Sequence, residues 1–224
     1  MDLENVYFSN LKKFDGKKLR RLDLSEIGQI AGRAGRYLND GYFGITGDCK
    51  EISPDEVSLL ENHKFDEIKT IFWRNTNINF SNVKSLIKSL EEKPNEEWLR
   101  RIHECEDEKV LKLFLKEDIN LGAKFNENQL RLLWECCQIP DFVKKTYGHH
   151  MEVVSKVFNF LNKDNGKIPS QYMKQQLLLL NKMDGNVDSI SNRIANVRTW
   201  SYVSNKSNWV ENQDYWIERT KSLE

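Results

Sequence analysis

The sequence predicts an α+β fold that is mainly α. Three observations predict it. Most of the 11 glycines fall in the first 50 residues, among short β-branched and aromatic runs. After residue 50, apolar side chains recur at helical spacing. Proline is scarce, at four in 224 residues, which favours helix over turn-rich β architecture. The change of character divides the chain into residues 1–50 and a helical remainder, 51–224.

The elements follow in order. Val6-Tyr7-Phe8 is a strand by residue type. Asp15-Gly16 is a hairpin turn signal, with residues 12–14 and 17–22 as its two strands. Ser25 caps a helix over residues 26–34, and residues 41–46 form another strand. Ser53-Pro54-Asp55-Glu56 is a helix start, with Ser53 and Glu56 at capping-box spacing. Further helices are expected after Ser81, Asn95, Asn126, Pro140, Pro169, Val187 and Glu211. Leu130, Leu133, Trp134 and Cys137 make one apolar face; Val153, Val154, Val157, Phe158 and Leu161 make a second. Ile190, Ile194, Val197 and Tyr202 repeat the pattern less regularly.

Composition excludes several classes. With 34 basic and 34 acidic residues, the chain is neither a uniformly basic coat protein nor an acidic tail. An aromatic content of 11% with six tryptophans is too high for a disordered chain. No apolar run approaches the roughly 18 residues of a membrane span, so no membrane partner is expected. The acidic start, Met1 to Asn5, predicts neither a secretory signal nor a transit peptide. Cys49, Cys105, Cys136 and Cys137 contain no C-x-x-C pair and read as buried, reduced thiols. His63, His103, His149 and His150 build no ligand set, so no metal site is expected.

One segment carries chemistry: Gln29-Ile30-Ala31-Gly32-Arg33-Ala34-Gly35-Arg36. Read as one helix, it puts Arg33 and Arg36 on a shared face. Guanidinium groups present a donor fork matched to phosphate oxygens. Gly32 and Gly35 would let a partner approach the backbone closely, and two glycines in a helix, each costing about 1 kcal/mol against alanine, call for such a reason.

This pattern resembles motif VI of superfamily-two helicases. The resemblance continues through residues 7–16, Leu24-Ser25-Glu26-Ile27 and residues 29–37, which look like the mitochondrial degradosome (Suv-type) RNA helicases. Residues 61–66, Trp73-Arg74-Asn75, residues 132–142 and residues 198–203 look like the alphaproteobacterial branch of that family. The resemblance implies that residues 1–50 are the C-terminal remnant of the second RecA-like α/β domain and that 51–224 is a helical C-terminal domain. It implies that Arg33 and Arg36 are catalytic and contact the γ-phosphate of ATP, with Gln29, Gly32 and Gly35 completing the nucleotide-binding set. The family also needs a Walker loop, G-x-x-x-x-G-K-[ST], and an acidic motif for Mg²⁺. Neither occurs in this sequence. The implied cofactors, ATP and Mg²⁺, therefore belong to the intact helicase, and this chain alone is expected to be inactive. The implied partners are RNA or DNA, the missing N-terminal helicase half and an exoribonuclease. The implied location is the bacterial cytoplasm, or the mitochondrial matrix in a eukaryote.

Lys12, Lys13, Lys17, Lys18, Arg20 and Arg21 cluster across the hairpin, either as an RNA-backbone contact or as solvated strand-edge charges. Trp200, Tyr202, Trp209, Tyr215 and Trp216 are expected to pack between the last two helices rather than stack bases. Arg100-Arg101 and Lys144-Lys145 are expected on solvated helix faces. A non-enzymatic helical module binding RNA or protein is the alternative to the helicase fragment.

Overall fold

The computed structural model describes residues 3–14, 18–35, 39–117, 125–144, 147–163, 166–178, 180–182 and 184–224. It is a mixed α+β structure, mostly helical, with short parallel strands near the N-terminus. Two compact units divide at Lys69–Thr70.

The first unit holds β1 (Asn5–Phe8), β2 (Lys12–Phe14), β3 (Leu19–Arg21), α1 (Leu24–Ala31), β4 (Tyr42–Ile45) and α2 (Pro54–Glu61). β1 and β4 pair in parallel, with Val6 opposite Phe43. β2 and β3 form the expected hairpin, with Lys13 opposite Arg20; its turn lies outside the described residues. The core is small: Phe8, Leu11, Leu22, Ile27, Ala31 and Leu60 are buried, beside Cys49. Leu60 brings α2 into this core, and Phe65 reaches back over Gly28, where a Cβ would meet its ring at 2.7 Å.

The helix at residue 24 begins earlier than Ser25 as cap would allow. Asp23 is the N-cap, and its N–H donates to the Glu26 carboxylate at 3.0 Å. The Asp-x-x-Glu spacing at 23–26 is itself a capping-box signature and outcompetes Ser25. At Ser53 the expected start is found: Ser53 Oγ accepts from Glu56 N–H, and Glu56 returns the bond to Ser53 N–H.

The second unit holds β5 (Ile71–Trp73), α3 (Val83–Leu90), β6 (Leu99–Arg101), α4 (Glu106–Glu117), α5 (Glu127–Cys137), α6 (Tyr147–Leu161), α7 (Ser170–Leu178), α8 (Val187–Asn205) and α9 (Gln213–Leu223). One large core joins its helices. Leu130, Leu133, Trp134 and Cys137 are buried as the periodicity requires, as are Val154, Val157, Phe158 and Leu161. In α8 the apolar face takes effect only from Val197 onward, and Ile190 is exposed. Trp200, Trp209 and Trp216 are buried and Tyr202 packs against the same core, whereas Tyr215 is exposed. Cys49, Cys136 and Cys137 are buried free thiols; Cys105 is only half-buried.

Two expected helix starts are not found. After Asn95 the chain forms β6, which pairs in parallel with β5, so Arg100 and Arg101 lie on a strand. Local sequence gives Leu99–Arg101 no strong preference, and pairing with the β-prone Ile71-Phe72-Trp73 decides it. After Pro140 the Asp141 carboxylate accepts from Val143 and Lys144 N–H groups at 3.2 and 2.9 Å. This Asx-type turn competes with helix, so α6 starts at Tyr147 and Lys144 takes a positive φ of 51°. Lys145 lies outside the described residues.

Candidate functional site

The arginine-bearing segment begins as a helix and ends as a turn. α1 buries Ile27 and Ala31 and exposes Gln29 and Ile30. It stops at Ala31, with Gly32 as C-cap. Gly32 N–H donates to Gly28 O at 2.8 Å, Arg33 N–H to Ile30 O at 3.1 Å and Ala34 N–H to Ala31 O at 2.9 Å. These bonds tighten the last turn and satisfy its end carbonyls. The helix expected to run through Arg33 therefore ends at Ala31, and Arg33 lies in the turn that follows it.

Gly35 explains the change. Its φ is +69°, a left-handed conformation that glycine adopts without strain. Its N–H donates to Leu3 O at 2.7 Å, and Ala34 bridges Leu3 in parallel. Ala34 and Gly35 are thus stitched to Leu3, two residues before β1. A Cβ on Gly41 would stand 2.1 Å from Ala34 C and 2.2 Å from Gly35 N. Gly35 and Gly41 let two stretches of backbone cross, one step before β4 begins. Gly35 has its requirement inside the chain. Gly32 is exposed, and a Cβ there would meet only Gly28 O, at 3.1 Å. Replacing Gly41 with alanine forces the crossing backbone apart. The expected cost is about 3 kcal/mol, the upper end for overpacking, read as roughly hundredfold faster hydrogen exchange of the α1 amides.

Gln29 and Arg33 are both exposed at this end of α1. It is the negative end of the helix dipole, so an anion there must be held by guanidinium charge rather than by the helix. Arg36 lies outside the described residues.

The basic hairpin is largely neutralised within its own unit. Arg20 donates to both Glu26 carboxylate oxygens, at 2.7 and 2.8 Å, and Lys13 pairs with the same carboxylate. Arg21 grips Glu56 through two bonds of 2.6 and 2.9 Å. Lys12 is exposed, and Lys17 lies outside the described residues; Lys18 is described and makes an interaction of its own. Sequence reasoning placed Glu56 in its capping box but not Glu26, and it missed that both acids pair with the hairpin cations. Each therefore caps a helix and anchors the hairpin at once.

Hydrogen bonds from Arg20, Lys13 and Asp23 N–H hold the Glu26 carboxyl well below the usual carboxylate range. Arg21, then Ser53 N–H, lower Glu56 to about 2. Both pKa values fall below their unfolded values, so the stabilisation is present above the ordinary glutamate value of 4.5 and is lost as pH falls toward 2. Acid titration of α1 and α2 amide exchange should show that loss. Glu56→Gln should remove the part of it contributed by Glu56, leaving a flatter profile.

Among the described residues no group of His, Cys, Asp and Glu could hold a metal ion. His149 is exposed while its neighbour His150 is buried, and burial lowers the His150 pKa. No described helix is long and apolar enough to cross a membrane.

No protein-family model matches the chain. Over 60 residues, 27% of its length, it is 51% identical to the mitochondrial DExH-box ATP-dependent RNA helicase DExH16 of Arabidopsis thaliana. Over a stretch of the same length it is 42% identical to the mitochondrial ATP-dependent RNA helicase SUV3 of Oryza sativa subsp. japonica. Over 54 residues, 24% of its length, it is 44% identical to DExH-box ATP-dependent RNA helicase DExH11 of Arabidopsis thaliana. The matched stretch is about 10% of each of the first two relatives and 4% of the third. Across about a quarter of its length, the chain is similar to DExH-box RNA helicases.

Proposed function

We propose that this chain is the C-terminal part of an ATP-dependent RNA helicase. In this reading residues 1–50 derive from the end of the second RecA-like domain, and the helices beyond them form an accessory domain that guides RNA. The observation that carries it is the placement of Gln29 and Arg33, exposed together at the end of a helix whose following turn is tied to Leu3. A side chain on an anchored turn keeps its position when a second domain closes on it.

The chain's own residues define its share of the chemistry. Phosphoryl transfer depends on positioning and on stabilising charge. ATP and Mg²⁺, held by the missing half, supply the phosphoanhydride and the metal. Arg33 and Arg36 direct guanidinium donors at the γ-phosphoryl oxygens, Gln29 offers an amide to the attacking water, and Gly32 leaves room for the approach. Gly35 fixes the turn between the two arginines. RNA is the nucleic-acid partner, as the relatives' names suggest, and the exposed Lys12 is a hairpin cation offered to its phosphates. Degradation of the unwound RNA by an exoribonuclease, in the bacterial cytoplasm or the mitochondrial matrix, completes the proposal.

The test is a fusion of this chain to a Walker-bearing helicase half from a relative. RNA-stimulated ATP hydrolysis should appear and should fall on Arg36→Ala. Equal turnover by the wild-type and Arg36→Ala fusions would sink the assignment of Arg36.

A further inference from the structure

β5 and β6 form a two-stranded parallel sheet that the chain covers on one face only. Side chains alternate along a strand, so Trp73 and Arg101 share one face. That face turns inward, where Arg101 reaches the buried Glu108 carboxylate and Leu90 O. Phe72 and Arg100, opposite each other in register, share the outer face. Ile71 N–H donates to Trp98 O at 2.9 Å and Ile102 N–H to Trp73 O at 3.0 Å, so the ladder runs one residue past β6 at each end. By the same alternation Trp98 and Ile102 join Phe72 and Arg100, and all four are exposed. Parallel strands are normally buried on both faces, so this open face calls for a cover. We infer that the cover is the same face of a second copy of this chain. The two β6 strands then run antiparallel, and Glu97 of each copy pairs with the partner's Arg100.

The order of charges selects this occupant. The run Glu96-Glu97-Trp98-Leu99-Arg100-Arg101 reverses its sign about its midpoint. A second copy laid antiparallel sets its basic residues over the acids and its acids over the basic residues. A parallel copy would set like charges together, which opposes binding. Arg101 is engaged by Glu108 within its own chain. Among the described residues, Glu96, Glu97 and Arg100 make no ion pair, so their charge is open to a partner. A two-fold axis makes every contact twice, which gives two Glu97–Arg100 pairs per dimer.

The apolar area fits a reversible dimer. Phe72 is 70% and Trp98 53% exposed, so at roughly 200 Å² per ring they offer about 250 Å² per copy. Two copies bury about 500 Å² through these rings alone; Ile102 and the flanking charges widen the contact toward the ~1,000 Å² of a specific interface. Every residue involved lies in the second unit, and none belongs to the arginine-bearing segment.

Sedimentation equilibrium of the full chain, over about 1–300 μM, should show monomer and dimer in exchange, with less dimer at high salt. Arg100→Glu and Glu97→Arg, each alone, set like charges across the axis and should weaken the dimer about tenfold or more. Both side chains are exposed, and an unchanged circular dichroism spectrum checks the fold. Trp98→Ala, which keeps the charges, should weaken the dimer by a similar factor. The decisive sample is an equimolar mixture of the Arg100→Glu and Glu97→Arg chains. Only the mixed dimer faces each acid with a base, so the mixture should dimerise as the wild type does. A wild type that stays monomeric over the whole range would overturn the interface. So would single variants as dimeric as the wild type, or a mixture no more dimeric than its components.

Discussion

Under the proposed function, Arg33→Ala in a fusion of this chain to a Walker-bearing helicase half from a relative is expected to lower RNA-stimulated ATP turnover by about 10³-fold or more. The size follows from what an arginine finger does. In the proposed role its charge, beside that of Arg36, offsets the charge that builds on the transferring phosphoryl group in a closed, water-poor interface. Arg33 follows the last turn of α1, and Gly35 N–H pins the loop to Leu3 O two residues later. That pin fixes the backbone that carries Arg33. Arg33→Lys separates charge from geometry. Lysine keeps the charge but lacks the planar fork, so it should restore only a small part of the lost rate. Single-turnover kinetics should place the loss in kcat, with RNA affinity little changed. A variant whose kcat is intact and whose KM is raised would show that Arg33 binds nucleotide without acting in the transition state.

Arg101→Ala is expected to destabilise the second unit by about 3–5 kcal/mol, because it leaves a buried carboxylate without its partner. Glu108 is only 2% exposed. Arg101 reaches it at 2.9 Å and also donates to Leu90 O at 3.1 and 3.2 Å, tying β6 to the end of α3 and to α4. Arg74 stands 3.8 Å from Glu108, but its main partner is Asp107, held at 2.8 and 2.9 Å, and its guanidinium lies over Trp134. Burial raises the Glu108 pKa, with Arg101 and Arg74 pulling against it. A carboxyl raised in the folded state favours folding most below its unfolded pKa and loses that contribution as pH rises, opposite in sign to Glu56. Arg101→Ala should therefore be less damaging at pH 4 than at pH 7 in chemical denaturation. Combining it with Glu108→Leu should recover most of the stability, since the stranded charge is then gone.

Much of this was legible in the sequence, for identifiable reasons. Where one signal acted alone it decided the structure. The residue type of Val6-Tyr7-Phe8, the Ser53-Pro54 start and the apolar faces of α5 and α6 all appear where the pattern put them. Where two signals competed, the weaker-looking one prevailed. Asp23 displaced Ser25 because Glu26 could return its hydrogen bond. Asp141 captured the backbone ahead of α6. β6 formed because β5 was there to pair with it, which no window around Leu99 can reveal. The arginine motif was legible as chemistry but not as shape. Its residues were visible, whereas the crossing of Gly35 and Gly41 depends on a contact made at a distance. The hairpin charges were equally visible, but their pairing with Glu26 and Glu56 needed the fold.

The role proposed for this chain is to supply arginines to a nucleotide held by another domain. The most direct measurement is RNA-stimulated ATP hydrolysis by three samples: the Walker-bearing half alone, that half with this chain, and that half with an Arg33→Ala, Arg36→Ala chain. Little turnover is expected in the first, robust turnover in the second and a return to the first level in the third, with none from this chain by itself. Turnover by this chain alone, or equal turnover in the second and third samples, would contradict that role.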